Sequence, residues 1–249
     1  MTKVITITSG KGGVGKTTTA INIGAALNSF GKEVILIDAN LTTPNVGIHL
    51  GAPIVPVSLN HVLSGKAKVS DAIYEHESGM KIIPSSLSIK ELRDLNHSKL
   101  KEVTKKLKKM YDIVILDCAA GLGEEAVAAI EAADEIIIVT NPEIPAVTDA
   151  LKTSKLAEQL GKDIKGVIVT RSNGSKAQMP IQNINDMLEL PILGVVPEDQ
   201  NVPKAVVMKN ALIHTHPHSK AARAYKRIAA KLIGKDYVEH LTFWQRLFG

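Results

Sequence analysis

VITITSGKGGVGKT, Val4 to Thr17, is the stretch whose reading decides the fold. The run VITIT (4–8) reads as a β-strand, and residues 16–30 read as an amphipathic helix. Between them GKGGVGKT, Gly10 to Thr17, matches the phosphate-loop pattern G-x-x-x-x-G-K-[ST] in the strand-to-helix setting that the pattern requires. Gly10, Gly12, Gly13 and Gly15 let the backbone curl, so that its N–H groups, with those of Lys11, Val14, Lys16, Thr17 and Thr18, point inward around phosphate oxygens. The helix that follows adds its positive N-terminal end. In such a loop Lys16 is expected to reach the β- and γ-phosphates, and the Thr17 hydroxyl to sit on Mg²⁺.

Outward from this loop the same alternation continues. EVILID (33–38), KIIP (81–84), DIVILD (112–117), EIIIVT (135–140), GVIVT (166–170) and ILGVVP (192–197) read as further strands. They are nearly continuous hydrophobic runs, as in strands buried on both faces of a parallel sheet. Amphipathic stretches at 97–110, 123–133, 145–160 and 218–233 lie among them. Strand, helix and strand at this spacing predict an α/β, doubly wound, mostly parallel sheet with helices on both faces. No internal repeat or Gly/Ser/Pro linker divides the chain. The expected organisation is one phosphate-loop domain, 1–236, with a C-terminal extension, 237–249.

Composition narrows the rest. A chain of 249 residues, 45% hydrophobic and 22% charged, is ordinary for a globular protein with a sizeable core. Cys118 is the one cysteine, which excludes an internal disulfide and any multi-cysteine metal site within one chain, and fits a reducing compartment. The N-terminus shows no cleavage pattern, and no run of apolar residues is long enough to span a bilayer. A net charge of +5 permits nucleic acid, anionic lipid or nucleotide phosphate as partners and selects none. HTHPHS (214–219) is broken by Pro217, and Ser219 reads as the cap of the next helix rather than as part of a metal site.

Lys11, directly after the first glycine, makes the loop more specific. KGGVGKTT resembles the deviant phosphate loop of the MinD/ParA family of ATPases, closest to its MinD branch, and the resemblance covers nearly the whole chain. It implies ATP and ADP as ligands with Mg²⁺, and an ATP-dependent homodimer in which Lys11 contacts the partner subunit's phosphates. ILDCAAG places Asp117 at a strand end, where the family holds Mg²⁺ through a water, with Gly121 free to move; Ala119 stands where the family commonly has Pro. LIDANLTTPN places Asp38 at the head of what resembles the first switch, as a second acidic residue near the metal. The family usually reads Asp-x-Asp here, and this chain has Asn40. An amide orients a water but cannot take its proton at neutral pH, so slow hydrolysis is expected. VTRSN (169–173) and VPEDQ (196–200) resemble adenine-recognition elements, with Asn173 on the base edge and Arg171 and Pro197 flanking the ring. TNPE (140–143) resembles part of the dimer surface.

Three functions compete on these residues: a membrane-associated positioning ATPase, a ParA-like partition ATPase that binds DNA non-specifically, and an ATP-switched carrier of iron–sulfur type. The single cysteine argues against the third, whose members bridge clusters with at least two per subunit. The last seven residues, FWQRLFG, hold the single Trp and two of the three Phe. At 100° per residue Leu241, Phe243, Trp244, Leu247 and Phe248 fall within an arc of roughly 160°. The tip resembles a membrane-targeting tail suited to an anionic lipid interface; a helix docked on the protein's own core is the alternative. The resemblance therefore implies a cytoplasmic protein reversibly associated with the inner face of the cell membrane. An activator or cargo protein is a further expected partner, and specific nucleic-acid recognition is not expected.

Overall fold

Eight strands form one sheet in the order β3-β4-β2-β5-β1-β6-β7-β8. The computed structural model describes residues 2–93 and 95–237. The strands are β1 (Lys3–Ser9), β2 (Val34–Ala39), β3 (Tyr74–Glu75), β4 (Lys81–Ile83), β5 (Ile113–Ala120), β6 (Glu135–Thr140), β7 (Asp163–Ser172) and β8 (Ile192–Pro197). All pair in parallel except β3, an antiparallel edge strand against β4. The helices are α1 (Lys16–Ser29), α2 (Val46–His49), α3 (Leu59–Leu63), α4 (Leu100–Leu107), α5 (Glu124–Ala132), α6 (Ile144–Gln159), α7 (Ile181–Leu188), α8 (Asn201–Val207), α9 (Leu212–Thr215) and α10 (Lys220–Leu232). This is the doubly wound α/β architecture expected from the sequence.

Burial explains why the strands read as unbroken hydrophobic runs. Successive residues point to opposite faces, and both faces are covered. Ile5, Ile7, Leu36, Ile115 and Ile137 pack under α1 and α10. Their neighbours Val4, Ile35, Ile37, Val114 and Leu116 pack on the other face with side chains of α3, α4 and α5. Farther along that face Ile136, Ile138, Val167 and Val169 pack with α6 and α7. Helix α1 packs on the sheet at β1, β2 and β5 and against α10, which lies on β8, so most of its residues are buried. Ser219 caps α10 as read from the sequence, accepting from the Ala222 N–H at 3.2 Å.

The strand order positions the site. From β1 the chain turns to one side, through α1 to β2, and only later crosses to the other side at β6. Such a reversal opens a crevice at the C-terminal ends of the strands, where ligands bind in open α/β sheets. The loop Gly10–Gly15 sits at that crevice. The aromatic tip, with Leu241, Phe243, Trp244, Leu247 and Phe248, lies outside the described residues. Among those described, no helix is long and apolar enough to cross a membrane.

Candidate functional site

The phosphate loop has the backbone its glycines predict. Gly13 and Gly15 stand at φ 78° and 91°, in the left-handed region that a Cβ disfavours. Gly10 is required for a different reason: a Cβ there would fall 2.2 Å from the Asp149 carbonyl oxygen of α6. The Thr170 Oγ1, at the end of β7, lies 2.6 Å from the Val14 carbonyl oxygen and 3.1 Å from that of Thr140, pinning the loop to two strand ends. Helix α1 has no side-chain cap and no acidic residue in its first turn, so its N-terminal dipole faces the loop uncompensated.

Lys16, Thr17 and Asp117 converge below this loop. Lys16 is only 8% exposed, and burial holds its ammonium below the usual lysine range, against the pull of Asp117 and Cys118. Thr17 Oγ1 donates to Asp117 Oδ2 at 2.6 Å. Asp117 Oδ1 is buried with no hydrogen-bond partner. Burial pushes this carboxyl up to about 6, partly offset by the Thr17 hydrogen bond and by Lys16. A carboxylate oxygen without a partner, a hydroxyl and a buried ammonium form the donor set that a hydrated Mg²⁺ and a polyphosphate require, so the residues present fit both groups. The neighbouring Cys118 thiol is pushed up to about 12 by burial, as suits an inert core residue.

Asp38 faces Asp117 across the β2–β5 pair. Its oxygens are occupied by the backbone: Oδ1 accepts from Asn40 at 3.2 Å, and Oδ2 from Asn45 and Val46 at 2.9 Å each. Asp38 thus folds the segment that follows it back into α2. Asn40 is turned to its own loop: its Nδ2 donates to the Thr43 carbonyl at 2.6 Å, and its Oδ1 accepts from Thr43 N at 3.3 Å and Thr43 Oγ1 at 3.0 Å.

A cleft of about 430 Å³ opens beside the loop, lined by Thr18, Arg171, Pro197, Val202, Val206 and Tyr225 among others. That volume lies in the range of small-ligand sites. Arg171 and Pro197 stand in its wall. Asn173 is in the adjoining loop instead, where its Oδ1 accepts from Ser175 N at 3.0 Å. The sequence reading missed α8, which supplies Val202 and Val206, and missed Tyr225. Pro203 within α8 obscured the helical pattern, whereas the strand end at Pro197 was a usable signal for the cleft.

Lys11 points outward, 41% exposed, and pairs with Glu143 Oε2 at 3.2 Å. Glu143 is the last residue of TNPE, so the end of this segment lies beside the loop.

Known proteins agree with this geometry. The model of the AAA domain family matches residues 2–168. An uncharacterized ATP-binding protein of Methanocaldococcus jannaschii is 44% identical over 97% of this chain and 91% of its own. The septum site-determining protein MinD of Synechocystis is 34% identical, over 95% of this chain and 91% of its own. The structure of MinD from Pyrococcus horikoshii, complexed with Mg-ADP, is 36% identical with a TM-score of 0.89, covering 93% of this chain and 96% of that one. A second lysine within an intact phosphate loop and likeness along nearly the whole length lead to one conclusion: the chain belongs to the MinD/ParA family of P-loop ATPases, on its MinD side.

Proposed function

We propose that this protein is an ATP-driven positioning switch of the MinD type. It binds Mg²⁺ and ATP or ADP at the loop Gly10–Thr17, dimerises with ATP, holds the inner face of the membrane through residues 237–249, and leaves it on hydrolysis. The observation that carries this reading is Lys11, a half-exposed ammonium on the phosphate loop held, among the described residues, by an ion pair whose carboxylate, Glu143, is itself 52% exposed. Pairs of this kind contribute about 0–1 kcal/mol, so Lys11 is easily released toward a second copy.

The roles of the chain's own atoms follow from their placement. The loop amides and Lys16 hold the phosphates, Thr17 and Asp117 hold the metal, and Asp38 fixes the switch segment. Bound Mg²⁺ supplies neutralisation of charge on the β- and γ-phosphate oxygens. The cleft at Arg171, Pro197 and Tyr225 takes the base. Asn40 orients a water without accepting its proton, which fits slow turnover or dependence on an activator protein.

Membrane attachment is cooperative in this scheme. One short aromatic tail binds lipid transiently, and two on one dimer gain roughly 10²–10⁴-fold in avidity. The test is sedimentation with anionic liposomes and, separately, with duplex DNA, each with and without ATP. ATP-dependent pelleting with liposomes, lost on deleting residues 241–249, is the expected result. ATP-dependent pelleting with DNA alone would favour the partition reading. Unchanged liposome binding by the truncated chain would make the tail a core-docked helix.

A further inference from the structure

Beyond the phosphate loop, one carboxylate joins the two segments that frame the reaction centre. Glu125 stands in the first turn of α5, just past the turn Gly121–Gly123 that follows Asp117. Its Oε2 accepts from Leu41 N at 2.9 Å and Thr42 N at 3.3 Å. Its Oε1 accepts from the Thr42 hydroxyl. Leu41 and Thr42 directly follow Asn40, whose amide is closed onto Thr43. The Leu41 side chain is buried, 3% exposed, in the same core cluster as Ala126 of α5. A cleft of about 430 Å³ separates the rest of the two segments, with Asn40, Thr42 and Thr43 on one wall and Ala119, Ala120 and Gly123 on the other. Across that gap, among the described residues, Glu125 makes the polar connection.

We propose that Glu125 is a positioning residue for ATP hydrolysis: it ties the switch segment 40–43 to the helix behind the Asp117 loop and so sets where the Asn40 amide stands. The inference rests on the ATPase reading above. Three donors on one carboxylate fix both the height and the rotation of the segment, because two are successive backbone amides and the third is the side-chain hydroxyl of the second of those residues. Charge-assisted bonds to a carboxylate are the stronger kind. A displacement of the segment by about 1 Å is enough to lower a rate roughly 10²-fold.

The chemistry also specifies the conservative replacement. In Glu125→Gln the amide oxygen keeps both backbone donors, and its NH₂ group turns to the Thr42 hydroxyl, which then accepts. Glu125→Ala removes all three contacts and touches neither the phosphate loop nor the base cleft.

The experiment compares the full chain with Glu125→Ala and Glu125→Gln by three measurements. These are hydrogen exchange at the Leu41 and Thr42 amides without nucleotide, ADP affinity by calorimetry, and steady-state kcat with Mg-ATP. In Glu125→Ala the two amides should exchange about 10- to 100-fold faster, as loss of a hydrogen bond to a charged group implies. Its kcat should fall about 10-fold or more with ADP affinity unchanged, and Glu125→Gln should restore exchange and kcat. Parent-like exchange in Glu125→Ala, or a loss of ADP affinity parallel to kcat, would overturn the proposal. The exchange comparison needs no nucleotide, so it fails only with the tie itself, whereas a parent chain that binds no ADP would contradict the ATPase reading.

Discussion

Asp38 and Asp117 are register partners on adjacent strands, equally buried, and they do different work. Asp117 keeps one oxygen without a partner and offers the other to Thr17. Asp38 has three backbone donors on its two oxygens. Burial raises both carboxyls, and the neighbouring Asp117 raises Asp38 further. The difference teaches that position at the C-terminal edge of a parallel sheet makes an aspartate available to a ligand only when the loop beyond it does not fold back onto it. Here the loop after β2 returns through Asn45 and Val46, and the loop after β5 does not return to Asp117.

The comparison breaks first at Asp38. Replacing it by Ala leaves three backbone N–H groups without their acceptor. The expected loss is about 3–5 kcal/mol of folding stability, from roughly 1–3 kcal/mol for each buried N–H left unsatisfied, less the relief of repulsion with Asp117, read by denaturant midpoint. A loss below about 1 kcal/mol would mean that those amides find other partners and that Asp38 is free for ligand work.

Asp117 should respond in the opposite sense. Its folded-state pKa is about 6 against an ordinary value of 3.8, so between those values the folded chain holds more protons than the unfolded one. Stability in the nucleotide-free, metal-free protein should therefore rise as pH falls from about 7 toward about 4 through this group. Asp117→Asn should be at least as stable as the parent at pH 7 and should show a flatter profile over that window. A variant less stable at every pH would show that the carboxylate is satisfied after all.

Much of this contrast could not be read from sequence. The phosphate loop was legible because its conformation is local: Gly13 and Gly15 need positive φ, and the motif carries them. Seven of the strands were legible because burial on both faces leaves continuous apolar runs. The strand Tyr74–Glu75 was not, since two residues cannot show a period. Asp38 and Asp117 look alike in LIDAN and ILDCA. Only the return of the chain seven and eight residues later separates them. The Glu125 tie is longer in sequence still, reaching back more than eighty residues to Leu41, and nothing local announces it.

Asn40 sharpens the comparison by the smallest step in folding energy. Asn40→Asp loses the donation to the Thr43 carbonyl, a single loop hydrogen bond worth about 1 kcal/mol of stability. It also creates a proton acceptor beside the site, and general-base catalysis is typically worth 10²–10⁴-fold. The aspartate still accepts from Thr43 N and Thr43 Oγ1, which holds part of its basicity, so turnover of ATP should rise only toward the lower end of that range. Equal steady-state rates in both forms would place the burden on an external activator.

The central claim, that ATP binding is converted into dimerisation by an exposed lysine on the phosphate loop, is tested most directly by light scattering. The parent chain should show twice the monomer mass with Mg-ATP and the monomer mass with Mg-ADP. Lys11→Ala should bind ADP as the parent does, because the loop glycines and Lys16 are intact, and should remain a monomer with either nucleotide. One mass in all three conditions, Mg-ATP, Mg-ADP and no nucleotide, or an ATP dimer that survives Lys11→Ala, would contradict the account.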